Sequence, residues 1–161
     1  MTSRPIRWRV GLAWLAATLG PSAAAGNLPG GLERQLKTET LSPIATVAEL
    51  PEAVRVCLTE LFRWPTLKMA DPGDEWQETD VVETPDLPIR RLILAGCSAE
   101  HCLIHYERGG IAHTRSVLLL ELDDTGAHLI RGWSAPSSLG SVEEVREAVL
   151  SGKLPEKESA W

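Results

Sequence analysis

The sequence predicts an α+β domain: an N-terminal helix, an antiparallel four- to five-stranded meander sheet and a C-terminal helix, with the helices packed on one sheet face. Three observations lead there. Apolar residues recur at spacings of three and four over residues 47–63, the period shifts toward two from residue 75 onward, and helical spacing returns at 141–150. The connections between the expected strands are too short for crossover helices, which makes the sheet antiparallel.

The first 25 residues stand apart from that pattern. Arg4, Arg7 and Arg9 give a positive start without an acidic residue, Val10–Leu19 is apolar and uncharged, and Gly20-Pro21 interrupts it before the small residues Ser22-Ala23-Ala24-Ala25. This is the pattern of a secretory signal peptide, with cleavage expected after Ala25. A spanning helix needs about 20 apolar residues, and this run is half that length, so no stable membrane span is expected after signal cleavage. The expected location is outside the cytosol, periplasmic or secreted, and the excess of Arg over Lys with abundant Ala points to a bacterial source.

Removing residues 1–25 takes away three of the 16 basic residues and none of the 22 acidic ones, leaving 136 residues with a formal charge of −9. Such a surface repels phosphate backbones, so nucleic acid is not an expected partner; an unidentified protein or small ligand is. That length suits one domain, read as 46–155, preceded by a flexible leader at 26–45 and followed by a tail at 156–161.

The first expected helix covers Val47–Arg63. Leu50, Val54, Cys57, Leu58 and Leu61 draw one apolar stripe, Pro51 suits the first turn, and Pro65 ends the helix. Expected strands follow at Trp76–Glu83, Ile89–Ala95, Cys102–Arg108, Ala112–Leu122 and Ala127–Ser134. Gly109-Gly110 reads as a two-residue hairpin turn, and Asp123-Asp124-Thr125-Gly126 as the next turn. Ser141-Val142-Glu143-Glu144 is a capping box opening the last helix, which Gly152 and Pro155 stop.

Cys97, His101, Cys102 and His105 lie within nine residues and are all potential zinc ligands. A different pairing fits better. Cys97 and Cys102 flank four residues that read as a hairpin turn, and an exported protein meets oxidising conditions, so a Cys97–Cys102 disulfide is expected and a metal site is not. The spacing also departs from the Cys-x-x-Cys of thiol oxidoreductases. Cys57, on the apolar helix stripe, reads as an inert buried thiol.

With Gly109-Gly110 as the turn, His105 faces Thr114 and Tyr106 faces His113, so the two histidines point to opposite sheet faces. Three turn residues in the next hairpin put His128 opposite Leu122, about 26 Å along the strand from Thr114. Tyr106, His113, Arg115, Arg131 and Trp133 then share one face, an aromatic–basic strip suited to a carboxylate or peptide. Leu103, Leu118, Leu120, Leu122 and Ile130 fall on the face under the helices.

No Gly-x-Ser-x-Gly elbow, phosphate-cradling glycine loop or converging pair of carboxylates marks a catalytic centre, and nothing calls for a cofactor. The helix-plus-meander order resembles cystatin-like and other curved-sheet binding folds in architecture alone, which carries no function. The expected role is a non-catalytic exported binding or accessory module. Its rivals are a small exported hydrolase built around His113 and Tyr106 and a structural component of an envelope complex.

Overall fold

The alternating stretch from residue 90 onward forms four long strands in a computed structural model that describes residues 28–81 and 84–157. The expected export signal lies outside the described residues. Strands β2 (Arg90–Cys97), β3 (His101–Arg108), β4 (Thr114–Asp123) and β5 (Gly126–Ala135) follow each other antiparallel, as the short connections require, and a three-residue strand β1 (Ser42–Ile44) edges β2. Helices α1 (Gly30–Thr38) and α2 (Glu52–Phe62) precede the meander, and α3 (Val142–Leu150) follows it. The fold is the expected α+β arrangement.

The helices pack on both sheet faces, not on one. Val54, Leu58 and Phe62 of α2 bury against Leu92, Ile104, Tyr106, Leu118 and Leu120. On the other face, Leu36 of α1 and Val142, Val145 and Val149 of α3 bury against Leu103, Val117, Leu119 and Trp133. The sequence carries the reason: Val117-Leu118-Leu119-Leu120 is an unbroken apolar run, as a strand covered on both sides requires.

The described part of the segment expected as a leader, residues 28–45, belongs to the fold. Leu28, Leu32 and Leu36 recur every four residues, Glu33 and Lys37 pair at 2.6 Å along the helix surface, and Leu36 is fully buried. At the other end, Glu156 bridges to Trp133 and the Lys157 amide donates to the Gly132 carbonyl, so the tail begins by extending the sheet beyond β5.

Two expected helix boundaries shift locally. Residues 47–49 form a separate 3₁₀ turn capped reciprocally by Thr46 and Glu49, and α2 starts after Pro51 and stops where Arg63 turns left-handed at φ 56°. At α3 the Ser141 hydroxyl accepts from the Glu144 amide as expected. The Glu144 carboxylate reaches one residue further back, to the Gly140 amide at 2.7 Å.

Trp76–Glu83 was expected as a strand, but its described part, residues 76–81, makes a single bridge, Thr79 to Gly110. The Gln77 side-chain amide explains this by donating to the Thr79 and Val81 carbonyls, which curls the chain on itself instead of offering it to a neighbouring strand. Gly109 lets the segment dock: a Cβ there would lie 2.0 Å from the Gln77 carbonyl oxygen. The Gly109-Gly110 pair is thus a docking surface for 77–79 rather than a two-residue turn.

Candidate functional site

The longer connection at 109–113 moves β4 by three residues against the expected register. His105 pairs with Val117 and Tyr106 with Ser116, and an odd shift reverses every facing relationship along the strand. Tyr106 therefore points into the α2 core, opposite the face that carries Arg115, Arg131 and Trp133. The last hairpin is tighter than expected, pairing His128 with Glu121. A bulge at Ile130 takes up the difference, so Arg115, Trp133 and Arg131 share a face as anticipated.

That shared face is not an open strip. Trp133 is core, packed with Val117 and Val145 beneath α1 and α3. Arg131 reaches Glu156 at 3.4 Å. Arg115 and His113 meet at a residue that the sequence did not single out, Glu107.

Glu107 sits on β3 between two arginines, Arg91 directly opposite on β2 and Arg115 directly opposite on β4. Its side chain is only 6% exposed. Arg91 donates to Oε1 from Nε and Nη2 at 2.9 and 2.7 Å, His113 Nε2 lies 2.7 Å from Oε2, and Arg115 Nε stands 3.7 Å from the same oxygen. Burial alone would raise the Glu107 pKa. The hydrogen bonds and charges of Arg91 and His113 outweigh it and hold the carboxyl below its ordinary value. The carboxylate that the aromatic–basic strip was expected to take from a ligand is supplied by the chain itself.

His113 is engaged on both sides, its Nδ1 lying 3.3 Å from Glu78 Oε1. Trp76 presents an edge to the His113 ring at 5.4 Å, and the Arg91 guanidinium lies over Trp76 at 5.0 Å. Beside this cluster opens a groove of about 660 Å³ lined by Asp74, Glu75, Trp76, Glu78, Thr79 and Arg91 among others. Asp74, Glu75 and Glu78 are exposed on its rim, whereas its one arginine is already paired with Glu107.

The other expected groups fall elsewhere. Cys97 and Cys102 are disulfide-bonded across the last pair of the β2–β3 hairpin, which removes both thiols from any zinc set. His105 is buried and fully used: its Nδ1 donates to the Ser116 carbonyl at 3.0 Å and its Nε2 accepts from the Leu139 amide at 3.2 Å. Those partners fix one neutral tautomer, and burial, the largest influence, lowers its pKa. The Cys57 thiol is half-buried, and burial followed by the nearby Glu60 charge pushes its ionisation up, which makes it a poor nucleophile.

No protein-family model matches the chain, and no curated protein or solved structure matches it. The chemistry of the site therefore rests on its own geometry. Both His113 nitrogens face carboxylates, leaving neither to take a proton from a substrate, and burial raises the Tyr106 pKa on the far side of the sheet. The hydrolase pair imagined from sequence is not assembled. What remains is a charge network with an acidic groove along one side.

One more cluster escaped sequence reasoning. Glu39, just after α1, accepts from the Ser98 hydroxyl and lies 2.9 Å from His101 Nδ1 at the disulfide-closed tip of the β2–β3 hairpin. Glu39 and His101 are 62 residues apart in sequence. No local pattern could join them without knowing that α1 is part of the domain.

Proposed function

We propose that this protein is an exported, non-catalytic binding module whose recognition surface is the acidic groove along residues 73–79, fitted to a lysine- or arginine-bearing peptide segment. The observation that carries the reading is the groove's charge. Three exposed carboxylates, Asp74, Glu75 and Glu78, line it, and the one guanidinium among its described lining residues, that of Arg91, is committed to Glu107. A cationic chain laid there meets the Asp74 and Glu75 carboxylates, which form no ion pair among the described residues, and Glu78 beside His113, with the Trp76 side chain in the wall, and the acidic balance of residues 26–161 steers it inward.

Support for export comes from the arginine-led apolar leader and from the disulfide, which persists in oxidising compartments. No helix among the described residues is long and apolar enough to cross a membrane. A role within an envelope complex is a special case of this reading, in which the basic segment belongs to a neighbouring protein.

The test begins with the full chain expressed in a bacterial host. The expected product is found in the periplasmic fraction and starts at Gly26. Fluorescence anisotropy then compares labelled oligolysine and oligoglutamate peptides. Binding of oligolysine that weakens with salt, and several-fold further in Glu78→Gln combined with Asp74→Asn, is expected. Equal affinity for both peptides, or no effect of the double substitution, overturns the groove assignment.

A further inference from the structure

We propose that Glu39, Glu100 and His101 form a site for a divalent transition-metal ion, with His101 and Glu100 as direct ligands and Glu39 as the carboxylate that holds the ring. The site lies at the disulfide-closed end of β3, at the opposite end of that strand from the acidic groove, and does not depend on the groove's function.

The three side chains each place one ligand atom within 4.8 Å of the others. They come from two parts of the fold, the turn after α1 and the tip of the β2–β3 hairpin, so the cluster is not a feature of one exposed loop. Glu39 is fixed on both oxygens: one accepts from the Ser98 hydroxyl, the other faces His101 Nδ1 at 2.9 Å. Ser98 also accepts the Glu100 and His101 amides at 3.0 and 2.9 Å, and the Cys97–Cys102 bond closes the turn around them.

The independent pointer to a ligand is the ring itself. The His101 side chain is only 4% exposed, and with Nδ1 held by Glu39 its Nε2 makes no hydrogen bond among the described residues. His101 lines a cavity of about 410 Å³, together with Glu100 and Glu121, the residue directly opposite it on β4. An imidazole oriented through Nδ1 by a carboxylate, with its other nitrogen unbonded and the ring lining a cavity that Glu100 shares, is the carboxylate–histidine–metal arrangement. Water completes the coordination.

The ligand set selects the ion. Calcium and magnesium take oxygen ligands, whereas one imidazole with carboxylates suits zinc and its neighbours in the first transition row.

The experiment titrates the intact, disulfide-bonded protein with zinc against a chromogenic chelator, with calcium and magnesium in parallel. One zinc per chain is expected, unaffected by an excess of either competitor. Glu100→Gln and His101→Gln should each weaken zinc binding tenfold or more, and Glu39→Gln by about tenfold through the loosened ring. Glu78→Gln, at the other end of the strand, should leave it unchanged. The exposed Glu100 side chain makes no hydrogen bond or ion pair among the described residues, so Glu100→Gln stays informative should His101→Gln fold poorly. Wild-type zinc affinity in Glu100→Gln, loss of binding in Glu78→Gln, or no stoichiometric zinc in the wild type each overturns the site.

Discussion

At its His101 end, β3 is joined to β2 through residues 98–100 and clamped by a covalent bond; at its Arg108 end the chain leaves through residues 109–113 before β4 begins. Each end holds a histidine among carboxylates, His101 with Glu39 and Glu100, His113 with Glu107 and Glu78. At the closed end one ring nitrogen makes no hydrogen bond among the described residues. At the open end both nitrogens face carboxylates. The contrast follows from the backbone: a stapled turn fixes one ring against one distant helix end, whereas a longer loop and a docked segment bring acidic groups to both sides of the other. Similar side chains thus yield a ring bonded through one nitrogen at one end and a closed charge network at the other.

The largest way to break the contrast is to undo the docking at the open end. Gly109→Ala places a methyl group 2.0 Å from the Gln77 carbonyl oxygen, against backbone that cannot swing aside. Denaturant unfolding should show a loss of about 3 kcal/mol, whereas Gly110→Ala, with no atom near its Cβ but φ at 105°, should cost about 1 kcal/mol. Equal costs would show that the approach of 77–79 does not organise this end.

Next comes the charge network. Glu107→Gln keeps the shape but leaves Arg91, His113 and Arg115 without their shared anion. The three partner side chains are each about a third exposed, so water softens the loss to about 2 kcal/mol. The pH dependence has a definite sign. A carboxyl whose native pKa is lowered stabilises the fold above its unfolded value, about 4.3, and that contribution disappears as pH falls through the lower native value. Glu107→Gln should flatten this acid limb of the stability curve.

At the closed end, reduction of the Cys97–Cys102 bond should cost about 2 kcal/mol, the closure entropy of so short a loop. Intact mass with thiol alkylation checks the bond: two alkylated cysteines should appear only after reduction, and Cys57 once the protein is denatured. The smallest effect concerns His105, midway along β3. Its pKa is lowered by burial, so the unfolded chain takes up a proton first as pH falls below about 6.5, and stability declines from there by at most about 1.4 kcal/mol per pH unit. His105→Asn should abolish that slope while loosening the loop anchored through the Leu139 amide.

These features differ in how visible they are in sequence. The disulfide is local, so the spacing of Cys97 and Cys102 within a hairpin suffices. The strands of the meander and the capped start of α3 are likewise local patterns. The Leu28, Leu32 and Leu36 repeat was present but short and interrupted by Pro29, Gly30 and Gly31, and without it Glu39 had no place in the fold. Facing relationships were harder because they depend on the number of residues in a turn. Gly109-Gly110 has the composition of a tight turn, yet serves as a landing site for a segment thirty residues earlier, and the resulting shift sent Tyr106 to the other face. Glu107 gave a faint signal, a lone carboxylate at the end of a buried run. Recognising it required knowing which residues of β2 and β4 stood opposite.

The open end of β3 is proposed as the surface that meets a basic partner. Its most direct measurement is a two-dimensional amide and indole NMR titration of the intact protein with oligolysine. Shifts confined to residues 73–79, the Trp76 indole and His113, with the signals of residues 98–102 unmoved, are the expected result. Shifts centred on the hairpin tip, or scattered over the acidic surface without preference for the groove, would contradict it.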